Sequence, residues 1–236
     1  DLARGRTVGI IYNSLTPTEG LILSLDSANR RSYPGSGNIW FDLSGNGNNG
    51  SLVNGPTLAT GPVGGMSFDG VNDYIDLNNS SLLNPTVGIA SSLWVNRNSL
   101  SVDTWLISRD DLSLGRSFAF GIRGNASNNV VWLQINGGST VLSTISVPLG
   151  LWTHLCFTRN SNNTYSIFIN GALNSTSVSV VSPASTTGNV NIGRRTYSGF
   201  EGYFSGLLDD VRIYNRVLSP AEISILFNSK RMRYGL

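Results

Sequence analysis

Apolar and polar residues alternate in short runs along most of the chain. Clear examples are Leu21–Leu25, Val131–Ile135 and Tyr165–Ile169, and each run is bordered by Gly or Asn. A period of two is typical of β-strands, which bury one face and expose the other. Further strands of this kind are predicted at Met66–Phe68, Tyr74–Leu77, Ile89–Asn96, Trp105–Ser108, Phe118–Arg123, Trp152–Arg159, Val190–Ile192 and Tyr203–Tyr214.

Turn-forming residues separate these runs. The pair Asn170–Gly171 directly follows one run, and the segment Asn136–Gly138 directly follows another. Asn and Gly accept the left-handed backbone conformation that tight hairpin turns need. Roughly a dozen short strands with such turns, and without alternating helices, predict an all-β fold with two antiparallel sheets in a jelly-roll sandwich.

One short helix is predicted near the C-terminus. Ser219–Glu222 has the sequence of a capping box, with a proline at the first helical position. Ile223, Leu226 and Phe227 follow at the spacing of a single apolar helix face. We therefore expect this helix to pack against the sandwich.

The composition limits the possible functions. Charged residues make up 13% of the 236 residues and the net charge is +2, too little for the positive field that attracts nucleic acid. No apolar stretch approaches the length of a membrane-spanning helix, so membrane insertion is not expected. Cys156 is the only cysteine, which excludes a disulfide framework within the chain.

Four segments in order resemble a known family. They are Gly20–Asp26, Trp40–Gly50, Phe68–Ile75 and Gly206–Ser219, and together they look like the laminin-G-like jelly roll of the concanavalin-A-like lectin and glucanase superfamily. The stretch Leu151–Leu155 is similar to that family's central strand. The resemblance covers about residues 20–229 and implies the fold much more strongly than it implies a function.

A narrower resemblance concerns the setting of the domain. The segment Ser32–Gly37 before Trp40, and the ending Arg233–Leu236, are similar to domains in structural proteins of tailed bacteriophages. Residues 1–19 precede the shared fold and contain the apolar run Val8–Tyr12, which we interpret as an arm or an added strand, with a free tail as the alternative. The chain therefore divides into this arm, a sandwich over residues 20–229 and a C-terminal tail over residues 230–236.

The residues needed for catalysis are missing. Glucanases of the resembling superfamily carry Glu-x-Asp-x-x-Glu on one strand, and this pattern does not occur in the chain. His154 is the only histidine, and its neighbours have the pattern of a regular strand without a Gly-x-Ser-x-Gly elbow. We therefore expect the protein not to be an enzyme.

Calcium is the metal that suits the composition, because Asp and Asn supply the oxygen ligands that it prefers. The segment Asp42–Asn48 begins like a calcium loop, although Val53 occupies the position where an EF-hand needs Glu. Regular alternation in Tyr203–Tyr214 also puts Asp209 on an apolar face, together with Leu207, Val211 and Ile213, and a carboxylate there needs a partner.

The resemblance implies a structural Ca²⁺ near matching aspartates. The candidate ligands are Asp26, Asp42, Asn46 and Asp209, with Asp210 as the alternate if a β-bulge reverses the alternation. The competing interpretation is that these aspartates cap turns by accepting backbone N–H bonds.

Carbohydrate recognition needs exposed aromatic rings beside polar side chains. Four aromatic residues in loop-like stretches meet this description: Tyr33, Tyr197, Phe200 and Tyr203. Our hypothesis is a non-catalytic structural or adhesive module on the surface of a virion, which contacts other subunits through residues 1–19 and also cell-surface glycans. The alternative is an extracellular carbohydrate-binding module of a secreted bacterial enzyme or adhesin.

Overall fold

Two antiparallel sheets lie face to face in the computed structural model, and one helix follows them at the C-terminus, as the alternating pattern predicts. Their inward side chains form one continuous core. The structure describes residues 16–61, 63–85, 87–99, 102–111, 115–124, 128–136, 140–179, 182–184, 186–196 and 202–236.

Sheet A is built around two long neighbouring strands, β7 and β16. Its order is β14, β13, β12, β7, β16, β5 and β4, and β1 pairs with the second half of β16. The strands are β1 (Leu21–Leu25), β4 (Thr57–Leu58), β5 (Met66–Asp69), β7 (Ile89–Arg97), β12 (Thr153–Arg159), β13 (Thr164–Ile169), β14 (Ala172–Val178) and β16 (Ser205–Tyr214).

Sheet B has the order β11, β10, β9, β8, β15, β6, β3 and β2. All of its pairings are antiparallel, as in sheet A. The strands are β2 (Ile39–Trp40), β3 (Gly50–Val53), β6 (Tyr74–Asp76), β8 (Thr104–Asp111), β9 (Gly115–Ile122), β10 (Val130–Gln134), β11 (Thr140–Ser146) and β15 (Val190–Ile192).

The predicted C-terminal helix is confirmed as α1 (Pro220–Lys230), and it covers the outer face of sheet A. The Ser219 side chain accepts a hydrogen bond from the Glu222 backbone, and the Glu222 carboxylate accepts one from the Ser219 backbone. Ile223 and Leu226 are buried against the sheet. This cover explains why residues on the outer face of sheet A, such as Cys156 and Tyr214, are buried.

The segment 230–236, which we expected to be a tail, packs onto the sandwich. Tyr234 is only 5% exposed, and its ring stacks on Trp94 with a centroid distance of 4.1 Å. Trp152 and Phe227 complete this aromatic cluster. The turn after α1 therefore extends the cover over sheet A, which residue spacing alone does not reveal.

The alternation assumed for β16 is interrupted by a β-bulge. The pairing of β16 with β7 shifts between Asp209 and Arg212, and Asp210 adopts a φ of 46°. Asp209 therefore shares the outer face with Leu207, whereas Val211 points into the core between the sheets. The expectation that Asp209 and Val211 lie on one face was wrong, because a bulge moves the following residues to the opposite side.

The Asn170–Gly171 hairpin is confirmed. Both residues have positive φ, 50° and 79°, and they join β13 to β14 as a tight turn. In the second predicted hairpin, β10 pairs with β11, but Gly137 and Gly138 lie outside the described residues. Most of the predicted arm, residues 1–15, also lies outside them. No helix in the described part of the chain has the length and apolar character needed to span a membrane.

His154 is buried on the outer face of sheet A, under α1. Its Nε2 lies 2.8 Å from the Ser92 hydroxyl, and its ring contacts the rings of Trp94 and Phe227. The buried Nδ1 has no hydrogen-bond partner among the described residues. Burial therefore lowers the pKa of His154 to about 4, and the ring is neutral in the folded protein.

This burial predicts a pH-dependent stability. The unfolded chain binds a proton at His154 near pH 6.5, whereas the folded protein does so only near pH 4. The stabilising contribution is therefore complete above pH 6.5 and is lost as the pH falls towards 4, with a total of up to about 3 kcal/mol. Urea unfolding of the protein and of His154→Gln across this range should show their difference shrinking with falling pH. Parallel curves would contradict the prediction.

Candidate functional site

The outer face of sheet B differs from that of sheet A, because no helix covers it within the described residues. A row of small and polar residues crosses this face in register through six neighbouring strands. Cross-strand partners share one face of a sheet, so these side chains lie side by side. The row consists of Gln134, Ala119, Ser108, Asn191, Asp76 and Ser51.

Two tryptophans border this polar row. Trp105 and Trp132 stack with their centroids 4.4 Å apart, and they lie on either side of Gly121 in the middle strand. A Cβ at position 121 would be 2.8 Å from the Trp132 ring nitrogen, so only glycine allows this stacking. Both rings are at most 8% exposed, and the guanidinium groups of Arg123 and Arg195 lie over them.

Asp110 is the buried acid of this face. Its two oxygens accept hydrogen bonds from Nε of Arg116 at 2.6 Å and from Nε of Arg195 at 2.9 Å. Burial raises the pKa of Asp110 to about 6, and the charge of Arg116 opposes that shift, so the group is a carboxylate at neutral pH. Arg195 also donates to Gln134 at 3.2 Å, which connects the ion pairs to the polar row.

A polar depression lies where β15 meets the end of β8, and we call it the β15 depression. It is open to solvent and has a volume of about 270 Å³, slightly below the range of drug-sized ligand sites. The Asn189 amide donates to both oxygens of Asp76, at 3.0 and 2.9 Å. Arg194 donates to Asn191 and lies 3.4 Å over the Tyr74 ring. The lining residues are Asp110, Asp111, Gly188, Asn189, Asn191, Arg194 and Thr196.

The β15 depression can hydrogen-bond a polar ligand. Its half-buried wall carries a carboxylate, an amide, a guanidinium and a hydroxyl group, from Asp111, Asn189, Arg194 and Thr196. These groups offer both donors and acceptors, which is what sugar hydroxyls require. Since the buried floor is already tied into ion pairs, the shape of the depression is set before a ligand arrives.

Of the four predicted sugar-binding aromatics, the two that the structure describes do not line this depression. Tyr33 belongs to the core at 3% exposure, and its hydroxyl donates to the Gly37 carbonyl, so its ring is unavailable for stacking. Tyr203 is half-buried just before β16. Tyr197 and Phe200 lie outside the described residues.

Two of the predicted calcium ligands do come together. Asp26 and Asp209 both pair with Arg233, and Asp26 also accepts a hydrogen bond from Lys230 at 3.0 Å. Asp209 further accepts bonds from the Ser27 backbone at 2.8 Å and from the Tyr234 hydroxyl at 2.9 Å. Side-chain cations of the C-terminal segment therefore neutralise both carboxylates.

The other three candidates lie elsewhere. Asp42 accepts backbone N–H bonds from Ser24, Ser44 and Asn48 and so caps its loop. The Asn46 amide donates to the Leu21 carbonyl, and Asp210 is paired with Arg212.

The carboxylates of the four candidate aspartates already have cationic or N–H partners, which does not favour a calcium centre. In the part of the chain that the structure describes, no group of three or more His, Cys, Asp or Glu side chains is arranged for a metal. The calcium site stays a prediction.

The polar residues of the β15 depression were not found from the sequence. Asn191 is the polar residue between Val190 and Ile192 in a correctly predicted strand, and Arg194 belongs to a noticeable arginine pair. Their meeting with Asp111 depends on the pairing of β15 with β8, which joins residues about eighty positions apart. Alternation assigns a face to each residue but does not assign a neighbour.

A comparison with family models decides the family. A model described as the concanavalin A-like lectin/glucanases superfamily matches residues 69–224, well over half of the chain. The chain belongs to this superfamily. The laminin-G-like resemblance of its sequence motifs is thereby confirmed. A search of curated proteins found no match.

Solved structures share the fold of this superfamily member. The binding domain of Paraclostridial Mosquitocidal Protein 1 has a TM-score of 0.67 at 18% identity, over 90% of this chain and 52% of that one. A Trypanosoma rangeli sialidase mutant with trans-sialidase activity has a TM-score of 0.71 at 19% identity, over 92% and 34%. This chain thus spans about half of the first protein and a third of the second.

Domain 4 of AbnA has a comparable length. AbnA is a GH43 extracellular arabinanase from Geobacillus stearothermophilus, and the domain was solved in complex with arabinotriose. The TM-score is 0.65 at 21% identity, over 87% of this chain and 97% of that domain. At such identities, the likeness establishes the fold alone.

The ion pairs of the C-terminal turn give a stability prediction. Replacing Arg233 by Met leaves the buried Asp209 without its cation, and we expect a loss of about 3 kcal/mol. Arg231→Met is the matched control, because Arg231 is exposed and its side chain makes no hydrogen bond to another described residue, so its effect should stay within about 0.5 kcal/mol. Urea unfolding at neutral pH measures both.

Equal losses in the two variants would contradict this role of Arg233. The same assay tests calcium, for which we expect no change in the unfolding midpoint of the unaltered protein. A midpoint that rises with calcium chloride and falls with chelator would instead support the calcium prediction.

Proposed function

We propose that this chain is a non-catalytic module that recognises glycans through the outer face of sheet B. The observation that carries the proposal is the difference between the two outer faces. α1 and the turn after it cover the face of sheet A, whereas the face of sheet B presents a polar row that ends in the β15 depression. A face of hydrogen-bonding groups, held rigid by a sheet and buried ion pairs, suits polar ligands such as sugars.

The chemistry of the depression supports binding without catalysis. Hydrolysis of a glycosidic bond needs two carboxyl groups on opposite sides of the bond, one of them able to give up a proton. The carboxylates lining the depression, Asp110 and Asp111, are consecutive in sequence, and both oxygens of Asp110 are bonded to guanidinium groups. Asp110 and Asp111 therefore do not supply an acid and a base on opposite sides of a sugar ring.

The comparisons support the same class of function. Domain 4 of AbnA, which this chain matches over nearly its whole length, was solved with arabinotriose. Another match, the binding domain of Botulinum Neurotoxin DC, was solved in complex with SialylT at 18% identity. These are observations about those proteins, and they favour a saccharide as the ligand of this one.

Two settings for such a module remain candidates. The resemblance of Ser32–Gly37 and Arg233–Leu236 to tailed-phage structural proteins supports display on a virion. The match to one domain of an extracellular arabinanase supports a carbohydrate-binding module of a secreted enzyme or adhesin. Purification from the native source separates them. A virion component should co-purify with other particle proteins at a fixed ratio and lose this association without residues 1–12, whereas a secreted module should be linked to an enzyme or adhesin.

The glycan proposal predicts binding that depends on the β15 depression. On a glycan array, the purified chain should bind a defined subset of saccharides. Arg194→Ala and Asn189→Ala should each weaken that binding about tenfold, because each removes one or two hydrogen bonds to the ligand. Arg231→Ala is the matched control, because Arg231 lies beyond α1 on the side of sheet A. No bound glycan, or equal affinities in all three variants, would argue against the proposal.

A further inference from the structure

A second polar depression adjoins the first, and we call it the Arg109 depression. It has a volume of about 260 Å³ and is lined by Asn79, Ser81, Asn84, Arg109, Thr186 and Thr187. The two depressions meet at Thr187, whose hydroxyl donates to the Asp111 carboxylate of the β15 depression at 2.9 Å. A ligand in one depression is therefore next to the other.

Arg109 is a buried cation without a carboxylate partner. The residue is 2% exposed, and among the described residues no acid lies within ion-pair distance of its guanidinium. It donates instead to three neutral carbonyls: Ser80 at 2.9 Å, Asn79 at 3.4 Å and Thr186 at 3.2 Å. By contrast, the buried guanidinium groups of Arg116, Arg195 and Arg212 all contact carboxylates.

The guanidinium of Arg109 also has unused donors. Arginine has five N–H groups, and three hydrogen bonds leave two of them, including the buried Nε, which has no partner. Burial lowers the pKa of Arg109, but arginine stays protonated at neutral pH. Arg109, which lines a polar depression, thus has a permanent charge and two unpaired donors, and leaving them unpaired is costly.

The neighbouring side chains favour an anion. Asn84 accepts a hydrogen bond from the Ser117 hydroxyl at its Oδ1, which leaves the Nδ2 donor available. Ser81 adds a hydroxyl group to the lining. All six lining residues are neutral apart from Arg109, so the depression carries a net positive charge. Planar oxyanions such as carboxylates suit the fork of a guanidinium group.

We propose that the Arg109 depression binds the carboxylate or sulfate group of an acidic saccharide. The rest of the sugar then extends into the β15 depression, where Asn189 and Arg194 bond its hydroxyls. This inference rests on the proposed glycan function and narrows the ligand class to acidic saccharides.

Matched probes test the anion subsite on the intact chain. D-glucuronate and D-glucose differ in a carboxylate in place of a hydroxymethyl group, and inorganic sulfate supplies the anion alone. In NMR titrations at constant ionic strength, glucuronate and sulfate should shift the Ser81, Asn84 and Thr187 amides at concentrations about tenfold lower than glucose. Equal responses to glucuronate and glucose, or no shift of these amides with either anion, would overturn the inference.

Substitutions identify the residue responsible. Arg109→Gln should abolish the preference for glucuronate over glucose, and Arg109→Lys should retain part of it through the charge. Arg97→Gln is the matched control, because Arg97 is also buried with neutral acceptors at Ser99 and Asn129 but lines neither depression. If Arg109→Gln does not fold, the salt dependence of glucuronate binding to the unaltered protein is the test. The affinity for glucuronate should fall as ionic strength rises, and an unchanged affinity would refute the inference.

The failures of the two proposals are distinguishable. If the array shows neutral glycans bound through Arg194 and Asn189 while the anion probes produce no shift, the anion subsite is wrong and the glycan function stands. If sulfate binds at Arg109 but no array saccharide binds, the anion subsite stands and the glycan function is wrong.

Discussion

A carboxylate that is fully withdrawn from water organises this molecule. Asp209 is 0% exposed on the outer face of sheet A, and burial raises its pKa while the charge of Arg233 opposes that shift. Its partners come from two places: the backbone after β1, and the C-terminal turn, which supplies the Arg233 guanidinium and the Tyr234 hydroxyl. Because an unpaired buried charge is strongly unfavourable, burial of Asp209 favours docking of the C-terminal turn onto it.

Docking of the C-terminal segment makes the two sheets unequal. α1 and the Tyr234 turn bury the outer face of sheet A, so that all seven residues of β12 are buried. The outer face of sheet B lies on the opposite side of the sandwich. In its polar row, Ser108, Asp76 and Asn191 have polar partners, which makes their position on this face acceptable. The part of the molecule best able to hold a polar ligand therefore lies opposite the part that stabilises the C-terminus.

Much of the fold follows from local patterns. Alternation predicts β7, β9 and β13 because strand residues take their faces from a period of two, and the capping box predicts α1 from contacts within one turn. The bulge at Asp210 does not follow from the alternation, because the residue types there do not require a positive φ. Asp26 and Asp209 were expected to lie close together as calcium ligands. They do lie close together, and both contact Arg233, while Asp26 also contacts Lys230.

The sequence by itself determined most of the longer strands, the C-terminal helix, the sandwich class and the absence of the glucanase carboxylate pattern, because each depends on residues close together in the chain. Only the tertiary structure decided which cation neutralises Asp209, that Tyr33 is a core residue and that Asn189, Arg194 and Arg109 line adjoining depressions. These facts depend on strand register and on the docking of distant segments. Strand register depends on how many apolar side chains of the whole strand are buried together, so it cannot be inferred from any single residue.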